Sequence, residues 1–167
     1  MNLDGASKGN PGMAGFGGIF RDSMGRTRWV YVDKGGIMTN NEAEMVAVYQ
    51  GNKIAIRNGY RNLEIEGDSQ ILTGLLRKLD SGKDWEQVVK SWRTAGLIQD
   101  MATILKRIDN KFIRHIRRVG NKAVDFLANW GCKEGKVDSI WPTVMKKPGW
   151  ETLNIIITKE RNETTGK

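Results

Sequence analysis

Cysteine and histidine are almost absent from this sequence, which contains one of each, Cys132 and His115. A single cysteine excludes an internal disulfide framework and a cysteine-rich zinc site. A single histidine excludes a catalytic site built on several imidazoles. No apolar run approaches the roughly 18 residues that a membrane span needs, and no signal-peptide pattern opens the chain. We therefore predict an intracellular protein without a membrane span, and the sequence leaves a nuclear and a cytoplasmic location equally open.

Acidic residues are outnumbered, since 27 Lys and Arg stand against 19 Asp and Glu and give a net charge of +8. The length of 167 residues fits one domain, and a hydrophobic content of 39% is ordinary for a globular chain. The basic excess indicates an anionic partner, of which nucleic acid is the commonest. Ordinary solubility charge explains the same excess equally well.

The pattern of apolar residues changes period near Thr39. Before it, three short segments indicate strands joined by turns; after it, Thr39 and Glu42 form a capping box that begins a helix to about Arg57. The predicted strands cover residues 3–7, 14–21, 27–32, 63–66 and 111–117, and the predicted helices cover 39–57, 69–79, 85–108 (interrupted near Gly96) and 121–132. Three hairpin-linked strands followed by alternating strands and helices predict an α/β fold with a five-stranded mixed sheet flanked by helices.

Composition divides the chain into two parts. Residues 1–134 carry the predicted strands and helices, whereas residues 135–167 predict an irregular appendage whose end, residues 161–167, is disordered. Only three residues precede Asp4, which is few for a central strand. We therefore predict that the chain is a fragment of a longer parent.

Four acidic residues occupy places where core packing does not require a charge: Asp4, Glu44, Asp68 and Asp125. Asp4 lies at one end of the first predicted strand and Asp68 follows the fourth, so the two lie side by side if these strands are parallel neighbours. Gathered carboxylates repel one another unless a cation neutralises them, and such a set selects Mg²⁺ or Mn²⁺. Taken singly, each acid has an ordinary alternative as a turn residue, a helix-dipole partner, a cap or a surface charge.

Four segments in order carry a resemblance to a known family: DGASKGNPG (4–12), TNNEAE (39–44), GDSQ (67–70) and NKAVDFLAN (121–129). Over residues 1–134 they resemble the type 1 ribonuclease H domain, in the form found in plant retroelements and plant ribonuclease H-like proteins. The resemblance implies an RNase H-like fold and an endoribonuclease that cleaves the RNA strand of RNA–DNA hybrids, leaving 5′-phosphate ends. With it we predict a monomer, and a reverse transcriptase domain upstream in the longer parent.

The same resemblance implies a catalytic and metal-binding set of Asp4, Glu44, Asp68 and Asp125. Two Mg²⁺ ions would lie about 4 Å apart, with Asp4 bridging them and Mn²⁺ able to substitute. One ion would activate the attacking water and the other would stabilise the leaving 3′ oxygen.

Five further residues stand where the family touches its substrate. Asn10, Asn40, Asn41 and Gln70 match positions that contact the RNA strand, and an amide can both donate to and accept from a 2′-hydroxyl. Thr39 matches a position that holds a DNA phosphate, which suits a helix N-terminus. The alternatives are turn, cap and helix-start roles.

An auxiliary catalytic residue is expected shortly before Asp125. Bacterial relatives carry a mobile histidine there, but His115 lies inside the predicted strand KFIRHIR. Arg118 is the better candidate, because short-loop members often carry Arg there and a cation beside the departing phosphate suits the chemistry. A solvated loop cation is the alternative.

A basic, tryptophan-containing protrusion grips the hybrid in some members of the family. The matching region is residues 80–96, which is short but contains Lys83, Trp85, Lys90, Trp92 and Arg93. The two tryptophans at helical spacing are more typical of a core. Two rivals to the enzyme remain: a catalytically decayed hybrid- or double-stranded-RNA-binding module, and a nuclease of the same fold that acts on another polynucleotide.

Overall fold

The computed structural model describes residues 1–82, 92–140 and 150–165. The strands are β1 (Asn2–Lys8), β2 (Gly12–Arg21), β3 (Thr27–Met38), β4 (Asn62–Gly67), β5 (Asn110–His115) and β6 (Val137–Ile140). The helices are α1 (Asn40–Arg57), α2 (Gln70–Asp80), α3 (Trp92–Leu105), α4 (Lys122–Gly131) and α5 (Glu151–Thr165), with a 3₁₀ turn (Arg118–Asn121) before α4.

The strands form one mixed sheet in the order β5-β4-β1-β2-β3-β6. β1, β2, β3 and β6 pair antiparallel, whereas β1, β4 and β5 pair parallel. The predicted α/β fold with a mixed sheet is confirmed, and so is the parallel pairing of the first and fourth strands. The strand count differs, because the described sheet has six strands where five were predicted.

The sixth strand comes from residues that were expected to be irregular. β6 pairs with β3 from Trp29 opposite Ile140 to Val32 opposite Val137. Four residues are too few to show a period, so residues 137–140 carry little local signal for a strand. β6 covers the edge that β3 would otherwise leave unpaired.

The first helix begins as the sequence predicts. Thr39 Oγ1 accepts a hydrogen bond from Glu42 N at 3.2 Å, and the Glu42 carboxylate accepts one from Thr39 N at 2.8 Å. Gly96, in contrast, does not interrupt α3. A glycine inside a helix costs only about 1 kcal/mol relative to alanine, which packing of α3 against α1 offsets.

Each face of the sheet carries its own apolar core. The larger core packs α1, α2 and α3 against one face, and contains Leu3, Ile65, Leu76 and Met101. The smaller core lies under α4 and α5 on the other face; its buried members include Ile19, Val30, Val32, Leu127, Val137, Trp150, Leu153 and Ile157. The helices therefore enclose the sheet on both faces.

Helix α5 differs from the sequence prediction of an irregular segment with a disordered end. It runs from Glu151 to Thr165, so residues 161–165 are helical, while 166 and 167 lie outside the described part. Leu153 and Ile157 are four residues apart and both are buried, so they form the apolar stripe of a docked helix. A separate domain boundary at residue 134 stays a prediction. None of the helices in the described segments is long and apolar enough for a bilayer.

Candidate metal centre

Three of the four predicted acids meet beside the C-terminal end of β4. Asp68 follows β4, as predicted, and Glu44 lies on the second turn of α1. Asp4 lies inside β1 and not at its end as predicted, because pairing with β2 continues to Lys8. Each offers a carboxylate oxygen, and these three oxygens lie within 4.8 Å of one another. The parallel pairing of β1 with β4 brings Asp4 beside Asp68, as predicted.

A close backbone contact brings Glu44 into this group. A Cβ built on Gly5 would lie 2.2 Å from the carbonyl carbon of Ala43 and 2.3 Å from the Glu44 nitrogen. Only glycine at position 5 lets α1 come this close to β1, because any side chain would overlap the helix backbone. The glycine that follows Asp4 therefore sets the distance between Asp4 and Glu44.

The environment of Asp4 opposes its negative charge. Its side chain is largely buried, at 8% exposure, and accepts a hydrogen bond from Gly5 N at 2.8 Å. Burial, followed by repulsion from Asp68, Asp125 and Glu44, raises the pKa of Asp4 to about 8. Repulsion of this kind is relieved when a cation enters the group.

Glu44 shows the same need for a partner. Burial raises the pKa of Glu44, although hydrogen bonding from the Ser69 side chain lowers it in part. Glu44 Oε2 is buried and has no hydrogen-bond partner among the described residues. An orphaned carboxylate oxygen beside two further carboxylates suits a hard cation with oxygen ligands. The residues present therefore fit a divalent metal ion.

Asp125 stands apart from these three acids. It lies on the exposed face of α4, and its charge contributes to the raised pKa of Asp4. Asn129 Nδ2 donates to the Asp125 main-chain oxygen at 2.8 Å and to its Oδ1 at 3.3 Å. Lys8 Nζ in turn donates to Asn129 Oδ1 at 2.7 Å. The structure thus places Asp125 near the three acids, outside their 4.8 Å group.

Arg118 and His115 both approach Asp68, but on different atoms. Arg118 Nε lies 3.3 Å from Asp68 Oδ2, and its side chain is 87% exposed. His115 Nε2 lies 3.1 Å from the main-chain oxygen of Asp68, at the end of β5. The hydrogen bond to Asp68 raises the pKa of Arg118, so the guanidinium stays charged. Of the two candidates, only Arg118 contacts a carboxylate of the cluster.

Sequence reasoning missed the part played by Asn121. Its side chain is buried, and Nδ2 donates to the Leu3 main-chain oxygen at 3.0 Å and to Asp68 Oδ1 at 3.3 Å. Asn121 thus joins the start of α4 to both acid-bearing strands. The signal was its place in the segment NKAVDFLAN, where it was interpreted only as a helix start.

The predicted RNA-contacting asparagines lie on one surface. Asn10 Oδ1 accepts from Asn40 N at 2.9 Å, and Asn40 Oδ1 accepts from Ser7 N at 2.8 Å. Asn41 and Gln70 are exposed at the starts of α1 and α2. Thr39 Oγ1 lies 3.2 Å from Glu42 Oε2 within the capping box. Asn10, Asn40 and Thr39 therefore also fulfil the turn and cap roles that were the alternatives.

The predicted protrusion falls mostly outside the described residues. Lys83, Trp85 and Lys90 lie in the segment 83–91, outside the described residues. Trp92 and Arg93 belong to α3, and their side chains are not described.

Comparison with known sequences places this geometry in a family. The profile of the family described as reverse transcriptase-like matches residues 2–131. A ribonuclease H protein of Arabidopsis thaliana is 30% identical over 130 residues, which is 78% of this chain and 20% of that protein. Ribonuclease HI of Halobacterium salinarum is 32% identical over 127 residues, which is 76% of this chain and 60% of that protein. The chain thus spans less than two thirds of either relative.

Solved structures agree with the sequence comparison. RNase H1 of Halobacterium salinarum superposes with a TM-score of 0.69 at 28% identity, covering 80% of this chain and 96% of that one. LC11-RNase H1, solved in complex with an RNA/DNA hybrid, gives 0.68 at 26% identity, covering 80% and 95%. The chain therefore belongs to the reverse transcriptase-like family, as a type 1 ribonuclease H domain.

Proposed function

We propose that this chain hydrolyses the RNA strand of RNA–DNA hybrids, using divalent metal ions held by its acidic cluster. The observation that carries the proposal is that carboxylate oxygens of Asp4, Glu44 and Asp68 lie within 4.8 Å of one another. One of these acids, Asp4, is buried. The likeness to LC11-RNase H1, which was solved with such a hybrid, supports the choice of substrate.

In this proposal Asp4, Glu44 and Asp68 would hold Mg²⁺, with Mn²⁺ able to substitute, and Asp125 would supply a further carboxylate ligand. Bound ions would supply Lewis acidity, which lowers the pKa of the attacking water and neutralises charge at the leaving 3′ oxygen. Asp4 would be the ligand whose charge a bound ion stabilises most, because it is the most buried of the four acids and feels the charge of the other three.

Arg118 acts on the phosphate in this proposal. Its exposed guanidinium starts 3.3 Å from Asp68 and can donate to a non-bridging oxygen of the scissile phosphate. A fixed positive charge at that place stabilises the negative charge that builds up during hydrolysis. His115 has no such role, because it faces a main-chain oxygen.

The hydrogen bonds of Asn10 and Asn40 indicate which amide atoms would contact RNA. The side-chain oxygens of Asn10 and Asn40 already accept backbone hydrogen bonds, which fixes both amide orientations. Each amide nitrogen is left to donate, so both residues would contact a 2′-oxygen as donors. Asn41 and Gln70 are exposed nearby and complete the RNA contacts in this scheme.

Thr39 would serve the DNA strand. Its hydroxyl lies within the capping box, so binding a DNA phosphate would require an exchange of its Glu42 Oε2 contact for the phosphate. The positive end of α1 favours an anion at this position.

The other partner and location predictions stay predictions: an upstream reverse transcriptase domain, a monomeric state and an intracellular location. A foamy viral protease-reverse transcriptase shares the fold at a TM-score of 0.66. Because its sequence identity is 17%, the likeness concerns the fold alone.

The test uses the purified chain and a hybrid whose RNA strand carries a 5′ label. We expect Mg²⁺-dependent cleavage of the RNA strand, and no cleavage in EDTA or with Asp68→Asn. Asp100→Asn, an exposed acid on α3 outside the cluster, is the matched control and should leave cleavage unchanged.

Three outcomes would contradict the proposal. Tight hybrid binding without cleavage in Mg²⁺ or Mn²⁺ would identify a binding module. Equal cleavage of double-stranded DNA would identify a nuclease for another polynucleotide. Cleavage that survives Asp68→Asn would place the chemistry outside this cluster.

A further inference from the structure

Helix α4, which carries Asp125, begins without a cap of its own. Asn121 is at the N-cap position, yet its side chain makes no capping hydrogen bond. The Asn121 amide is instead committed to the Leu3 main-chain oxygen and to Asp68. The first N–H groups of α4 therefore need an acceptor from elsewhere in the fold.

Glu160 of α5 supplies that acceptor. Its Oε1 accepts a hydrogen bond from Ala123 N, the second residue of α4, at 3.0 Å. Its other oxygen, Oε2, lies 2.7 Å from Arg21 Nη2. Glu160 is 8% exposed, so both contacts are shielded from water. A carboxylate at a helix N-terminus also complements the helix dipole.

The contact with Arg21 continues into β1. Arg21 Nη1 donates to Asn2 Oδ1 at 2.6 Å, and Asn2 lies two residues before Asp4. Asn2 Nδ2 donates in turn to Glu66 Oε2 at 2.7 Å, and Glu66 lies two residues before Asp68. One chain of hydrogen bonds thus runs from α5 to both acid-bearing strands.

The packing of α5 determines where Glu160 points. Leu153, Ile157 and Glu160 follow one another at spacings of four and three residues, so they share one face of the helix. Leu153 and Ile157 are buried against the sheet and α4, and Trp150 meets Trp130 of α4 edge-on at 5.4 Å. Glu160 lies on the same helix face as this apolar stripe, and its carboxylate contacts the N-terminus of α4.

We propose that Glu160 is a positioning residue. It caps α4 from α5 and so holds Asp125 and Asn121 in place relative to Asp4 and Asp68. The α5 segment lies beyond residues 2–131, the part that the family profile matches. The inference rests on the proposed function only in assigning a metal-binding role to these acids.

The test compares Glu160→Ala, Glu160→Gln and a matched control, Glu163→Gln, an exposed acid on the same helix. The first readout is hydrogen exchange of the Ala123 amide by ¹⁵N NMR, which needs no catalysis. Loss of a cap corresponds to about five- to tenfold faster exchange at Ala123 in Glu160→Ala. Glu160→Gln keeps an acceptor and should restore part of this protection, while Glu163→Gln changes nothing.

The second readout is the Mg²⁺ dissociation constant, followed by calorimetry or by the shift of the Asp125 amide resonance. We expect it to rise severalfold in Glu160→Ala and to stay at the wild-type value in Glu163→Gln. Ile157→Val lowers stability through the same helix while keeping the carboxylate, and should leave Mg²⁺ binding unchanged.

Two results would overturn the proposal: unchanged Ala123 exchange in Glu160→Ala, or an equal loss of Mg²⁺ affinity in Ile157→Val. If Glu160→Ala does not fold, Glu160→Gln decides. An acceleration of exchange over wild type that is larger at Ala123 than at Leu127 then supports capping. An equal acceleration at both amides refutes it. Failure of hybrid cleavage by the wild-type chain would refute the proposed function. Ala123 exchange and the Mg²⁺ dissociation constant would still test the capping proposal.

Discussion

Arg118 Nε lies 3.3 Å from Asp68 Oδ2, so a cationic side chain hydrogen-bonds directly to the acidic cluster. We expect Arg118→Ala to lower kcat by about 10²-fold, as for loss of one charge-stabilising donor in an active site. His115→Ala should leave kcat nearly unchanged, because its ring faces a main-chain oxygen. Arg117→Ala, the exposed neighbour, is the control. A large loss with His115→Ala and a small one with Arg118→Ala would contradict this assignment.

Asp4 predicts how metal-free stability depends on pH. Its folded pKa is about 8 against an ordinary value of 3.8, so folding favours the protonated acid. The stability from this group is complete below about pH 4 and is lost as pH rises towards 8. We expect Tm in EDTA to fall between pH 5 and pH 8, and scanning fluorimetry measures it. Mg²⁺ should raise Tm more at pH 8 than at pH 5, because it competes with fewer protons for Asp4 at the higher pH.

The variant that checks this origin is Asp4→Asn. Removing the buried charge should raise Tm in EDTA at pH 8, by about 2–4 °C for each kcal/mol recovered. The same change should abolish the gain in Tm from Mg²⁺, because a ligand is lost. A Tm in EDTA that still falls as steeply with pH in Asp4→Asn would assign the pH dependence to other groups.

Gly5 is expected to tolerate no side chain. An alanine Cβ would meet the α1 backbone at 2.2 Å, and overpacking of this kind costs about 1–3 kcal/mol. Gly5→Ala should therefore reduce stability in urea denaturation and reduce Mg²⁺ affinity by moving Glu44. Gly36→Ala, where a Cβ meets nothing within 4 Å, is the matched control. Equal Mg²⁺ affinity in Gly5→Ala and wild type would show that the contact does not position Glu44.

Helix α5 is expected to contribute measurably to stability. Leu153 is fully buried, so Leu153→Ala should cost about 2–5 kcal/mol in urea denaturation. Ile155 lies on the same helix with 55% exposure, and Ile155→Ala should change stability little. Equal effects of the two substitutions would mean that α5 does not dock through this face.

Features of the site that depend on neighbouring residues were easier to predict from the sequence than contacts between distant residues. The capping box at Thr39 and the position of Asp68 directly after β4 depend on neighbouring residues, so they were predictable. The prediction that Asp4 lies at the end of its strand was wrong, because pairing with β2 extends β1 to Lys8. The role of Asn121 depends on Leu3 and Asp68, which are 118 and 53 positions away, so spacing could not reveal it. The sixth strand and the docking of Glu160 depend on β3 and α4 in the same way.

β6 also has a consequence for how the chain reaches its fold. Trp29 pairs with Ile140, so the sheet is complete only when residues 111 positions apart (140 − 29) have met. Closing so long a loop before the contact is rewarded slows folding, as in other topologies of high contact order. Until then β3 presents an unpaired edge that can join another copy of the chain. We therefore expect the pairing of this four-residue strand to be a late step, at which folding competes with aggregation.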